Sequence, residues 1–105
     1  VTHMHMVPTM FVRLLRLPDD VKSRYDLSSL RFVVHGAAPC PVPVKRAMID
    51  AAREIVVVAD ASKIGVVEAA RVCSASEVDL VVTDGEAPPE VVAALEGAGT
   101  SVHIA

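Results

Sequence analysis

Aromatic residues are scarce in this chain of 105 residues, which has no tryptophan, one tyrosine and two phenylalanines. With 52% of its residues hydrophobic, any core must be built from Val, Ala, Leu, Ile and Met. An excess of basic charge is also missing. The net charge is -3, and Lys45-Arg46 is the sole adjacent basic pair, so direct nucleic-acid binding is not expected. The two cysteines, Cys40 and Cys73, are too few for a disulfide framework, and neither belongs to a Cys-x-x-Cys pair, which disfavours structural zinc. His3 and His5 lack an identifiable third ligand nearby, so neither a metal nor another cofactor is expected. No apolar run approaches the length of a membrane span, and no basic, apolar and cleavage-site order marks the start. These absences point to a soluble cytoplasmic chain without membrane contact. Its length suits one domain over residues 1–105.

What is present centres on Glu54 to Gly65, Glu-Ile-Val-Val-Val-Ala-Asp-Ala-Ser-Lys-Ile-Gly. The β-branched run Ile55 to Ala59 predicts a strand buried on both faces, followed by a polar loop and a helix. Ligands of open α/β sheets sit beyond the carboxyl ends of strands, so Asp60, Ser62 and Lys63 fall where a polar ligand would be met. Ser62 can cap the following helix, whose amides suit an anion, and Lys63 adds positive charge. Asp60 and Ser62 are equally ordinary turn and cap residues.

Before this stretch, Met6, Met10, Leu14 and Leu17 follow helical spacing, and the helix should start near Pro8 and end before Pro18. Residues 19–29 read as a polar connection with a short helix at most, and Leu30 to His35 as a strand leading into Gly36-Ala37-Ala38-Pro39-Cys40-Pro41. Small residues after a strand admit a close backbone or a flat ligand. Pro43 to Arg53 predicts a helix. Ile64 to Val72 predicts another, Val78 to Thr83 a strand, Pro88 to Leu95 a helix and Ser101 to Ile104 a last strand.

This order predicts an α/β fold, a three-layer, Rossmann-like sandwich with a small, mostly parallel four-stranded sheet and an N-terminal helix. The loops at 36–41, 60–63 and 83–86 would then meet at one edge. Exposed strand edges would leave the chain open to homo-oligomerisation.

Two family resemblances divide the chain. Residues 44–105 resemble the carboxyl-terminal part of the effector-sensing domain of DeoR-family transcriptional regulators, on Val44-Lys45-Arg46-Ala47-Met48-Ile49, Val58-Ala59-Asp60-Ala61-Ser62-Lys63-Ile64-Gly65, Val78-Asp79-Leu80-Val81-Val82-Thr83-Asp84 and the helix-strand ending. The resemblance implies recognition of a phosphorylated sugar or related metabolite, with Asp60, Ser62, Lys63, Thr83 and Asp84 as site residues. The winged helix-turn-helix and the glycine-containing phosphate loop of such regulators are not among these residues, so an incomplete ligand-binding module without its DNA-binding domain is expected.

Residues 1–49 resemble instead an internal segment of an acyl-CoA synthetase of the adenylate-forming superfamily. The carriers are Val1 to Met10, Tyr25 to Arg31 and His35-Gly36-Ala37-Ala38-Pro39-Cys40-Pro41. That resemblance implies an alternative adenine-nucleotide or acyl-adenylate site at His35, Gly36, Ala37, Ala38 and Pro39. Adenylation needs a held triphosphate and a placed metal, and the phosphate loop and catalytic lysine for it are missing, so no catalysis is expected from the chain by itself. The helix around residues 44–52 suits both families, which marks it as the junction of a chimera. A fragment without independent function is the remaining reading.

Overall fold

The computed structural model describes residues 1–36 and 38–105, and Ala37 lies outside the described residues. It is an α/β structure in which every strand pair is parallel. Two compact units divide the chain, Val1–Met48 and Ile49–Ala105.

In the first unit, β1 (His3–Met6) pairs with β2 (Phe32–His35), His3 lying beside Phe32 and Met6 beside His35. Between them run α1 (Pro8–Leu15) and the one-turn α2 (Asp19–Lys22). Pro8 occupies the first turn of α1, where its missing N–H leaves no bond unmade and its fixed φ suits the helix. Phe11 and Met6, 2% and 6% exposed, form the core of this unit. The Phe11 ring meets the His35 imidazole edge to face at 5.4 Å. The opposite sheet face is open, with Phe32 and Val34 more than half exposed and His3 stacked on Phe32. Strand β1 was not expected from sequence. His-Met-His-Met has little β preference of its own, and pairing with β2 decides its state. A further helix, α3 (Val42–Ala51), contains the boundary between the units.

In the second unit, β3 (Val56–Val58), β4 (Leu80–Thr83) and β5 (Ser101–Ile104) form a sheet in that order, so β4 is central. Helix α4 (Pro89–Gly97) crosses between β4 and β5 and lies over the face carrying Val57 and Val81. Alternation along β4 buries Val81 and Thr83 on that face, at 5% and 4% exposure.

Three expectations are corrected here. The single four-stranded sheet is instead two sheets, of two and three strands, and β2, whose following loop was expected beside those of β3 and β4, belongs to the sheet that does not contain them. The Ile55 to Ala59 strand is not buried on both faces: β3 is a sheet edge, and Val56, Val57 and Val58 are 44%, 38% and 77% exposed. Burying both faces of a strand takes a layer on each side, and this unit supplies one helix over one face. The helix over residues 64–72 does not form. A single 3₁₀ turn, Ala61–Lys63, is followed by Gly65 in the left-handed region at φ +83°, and the chain stays irregular until a second 3₁₀ turn at Ala75–Glu77. Gly65 and the branched Val66-Val67 pair make a poor first helical turn, and helical spacing of apolar residues alone did not overcome them.

Candidate functional site

The loops after β3 and β4 share one end of the second sheet, and the aspartates of each loop organise it. Asp60, extended at φ -70° and ψ 161°, accepts hydrogen bonds from the Ser62 amide at 2.9 Å and from the Ser62 hydroxyl. This is the turn an aspartate makes with the amide two residues on. It places the Ser62 hydroxyl 3.2 Å from the Lys63 ammonium, which donates to it. From the next loop, the Asp84 carboxylate accepts from the Ala61 amide at 2.9 Å and from the Glu86 amide at 3.0 Å. One carboxylate thus fastens the 60–63 turn to the end of β4.

The electrostatics follow from these contacts. The Ser62 hydroxyl bond holds the Asp60 carboxyl below its ordinary range against the opposing cost of desolvation, with the Ser62 amide and the nearby Lys63 charge adding to the lowering. Lys63 itself makes no ion pair among the described residues, so its charge is not neutralised by direct contact. Asp60, Ser62 and Lys63 are all exposed, and Asp84 is half-buried. Chemically, this edge presents one ammonium, one hydroxyl and two carboxylates whose remaining lone pairs can accept hydroxyl donors.

Of the residues expected here from sequence, Asp60, Ser62, Lys63 and Asp84 are brought together. Thr83 is not. It shares the buried face of β4 with Val81, and its hydroxyl is enclosed without a hydrogen-bond partner. The anticipated helix N-terminus is also missing, since Ser62 lies inside a 3₁₀ turn capped by Asp60. Any anion bound here is met by the Lys63 charge without a helix dipole, since the amides of residues 61–64 are already donated within the protein. The alternative set stands in the other unit: His35 ends β2 with both ring nitrogens enclosed and unpartnered, Gly36 is half-buried, Ala38 and Pro39 are exposed, and Ala37 is outside the described residues.

Asp79 is a residue that sequence reasoning missed. Its carboxylate accepts from the Ile55 amide at 2.7 Å, while its backbone bonds Ile55 and Ser101, so it ties all three strands at their amino ends. An aspartate just before an apolar run was the available signal. No group of three or more His, Cys, Asp or Glu among the described residues could hold a metal ion, and no described helix is long and apolar enough to cross a membrane.

Against known families, the model of the DeoR C terminal sensor domain matches residues 37–85. The span takes in α3, β3, the 60–63 turn and β4 as far as Gly85, and with them Asp60, Ser62, Lys63, Thr83 and Asp84. It stops short of α4 and β5. Neither the curated proteins nor the solved structures provide a match. Nothing in these comparisons supports an acyl-CoA synthetase segment or a chimera, and residues 37–41 of the Gly-Ala-Ala-Pro region fall inside the sensor-domain match.

Proposed function

We propose that the second unit is an effector-binding module whose ligand is a small phosphorylated molecule of the sugar-phosphate type, held at the loops after β3 and β4. The observation that carries this reading is the Asp60–Ser62–Lys63 turn fastened by Asp84, lying within the residues matched by the sensor-domain model. Lys63 supplies the charge for a phosphate. Ser62 supplies a hydroxyl beside it, and the carboxylates of Asp60 and Asp84 accept from sugar hydroxyls while their amide bonds keep the loop in place. Thr83 serves from beneath as the strand residue that sets Asp84.

The module binds and does not transform its ligand in this reading, the Ser62 hydroxyl being engaged by Asp60 and Lys63 within the turn.

The test is a thermal-shift panel on the full chain, with sugar phosphates in one arm and ATP, AMP and an acyl-adenylate mimic in the other. A ligand of the folded state stabilises it by ~2.7 kcal/mol at a hundredfold excess over its Kd. A rise confined to the sugar-phosphate arm and lost in Lys63→Ala supports the reading. A rise confined to the adenine arm, or one unaffected by Lys63→Ala, contradicts it.

A further inference from the structure

The missing helix over residues 64–72 leaves something in its place. An irregular arm, residues 64–78, runs beside α4, and a largely open cavity of about 420 Å³ lies between it, the sheet face and α4. The floor is Val57 and Val81, one wall is Val91 and Leu95 of α4, and the arm contributes Ile64 and Val66. The arm is fastened at both ends. Gly65 comes so near α4 that a β-carbon there would lie 3.2 Å from the Val91 side chain. At the far end the Thr100 hydroxyl donates to the Ala75 carbonyl at 2.7 Å, and Thr100 is 2% exposed.

The size is within the range of about 300–1,000 Å³ common for small-molecule pockets. The chemistry of the lining narrows the class. Aliphatic side chains dominate and no aromatic ring is present, which suits an alkyl chain and offers nothing for a flat ring to stack on. Lys63 is the one charged residue of the lining. Ser74 of the lining already donates its amide and hydroxyl to the Glu77 carboxylate at 2.8 and 2.7 Å, so negative charge is disfavoured beside it. An anionic headgroup is therefore directed to the Lys63 end.

We propose that this cavity is a ligand site for an unbranched aliphatic carboxylate, with its chain along the 64–78 arm and its carboxylate at the Lys63 ammonium. This goes beyond the loop site in both ligand class and volume occupied, although Lys63 stands at the rim of each.

Cys73 lines the cavity and Cys40 does not, and both are free and half-buried, which provides a probe and an internal control in one chain. The experiment measures the rate of modification of each thiol by a small maleimide, with octanoate, octanol or octylamine added. Saturating octanoate should slow Cys73 about tenfold and leave Cys40 unchanged, with octanol weaker and octylamine without effect. Lys63→Gln should weaken octanoate about tenfold and leave octanol as before. Ala75→Leu, which fills the cavity without touching Asp60, Ser62 or Asp84, should abolish octanoate protection while any response to sugar phosphates survives. An unchanged Cys73 rate in the wild-type chain, equal slowing of both thiols, or protection by octylamine equal to that by octanoate would overturn the proposal.

Discussion

Asp79 and Asp84 stand at the two ends of β4, and each uses its carboxylate to bond an amide of the β3 segment, Ile55 at one end and Ala61 at the other. A carboxylate to backbone N–H bond contributes about 1.5–3 kcal/mol when its loss strands the partner. Asp84→Ala should therefore lower the stability of the second unit by about 1–2 kcal/mol in urea, its loop being partly open to water, and should release the 60–63 turn. Asp60 yields a pH prediction. Its carboxyl is held below the ordinary range by Ser62, so the contribution is fully present above the unfolded-state value and is lost as pH falls through the folded-state one. The Ser62 amide resonance should move with pH below that ordinary range, and Asp60→Asn should remove the movement. The turn residues Asp60 and Ser62 were legible in the sequence because their bonds are local. Asp79 and Thr83 were not, because what they touch depends on which strands are neighbours and which face is covered.

Among the elements, most positions were legible, but strand β1 was not expected and the helix expected over residues 64–72 does not form. Helix α1 begins at Pro8, α4 has proline in its first turn, and β5 covers Ser101–Ile104, each marked by a local signal. Residues 64–72 carried only an apolar spacing, and Gly65 at φ +83° has no counterpart in a helix. Gly65→Ala should cost more than the ~1 kcal/mol by which alanine otherwise gains over glycine, both from the left-handed backbone and from the nearby Val91, as read by thermal unfolding. Phe11→Ala should remove about 3–5 kcal/mol from the first unit, and amide exchange should accelerate in β1 and β2. Burial of β3 could not be read from its valines, since a buried strand and an apolar edge strand have the same composition. An exposed edge of this kind is a pairing hazard, and Val58→Lys should reduce self-association in sedimentation at a stability change within about 0.5 kcal/mol.

At the scale of the molecule, the α/β class and the parallel strands were legible because strands and helices alternate. The number of sheets was not, since no local signal states which strands pair. In the second unit the loops after β3 and β4 are fastened to each other and Lys63 is left without an ion pair among the described residues, which is what a phosphate site there requires. The most direct measurement is an amide NMR titration of the full chain with ribose 5-phosphate, using ribose and inorganic phosphate as controls. A sugar-phosphate site at these loops should give saturable shifts at Ala61, Ser62, Lys63 and Glu86 that are larger than either control produces and disappear in Lys63→Ala. Shifts confined to the residues around His35 and Gly36, or none at saturating ligand, would contradict it.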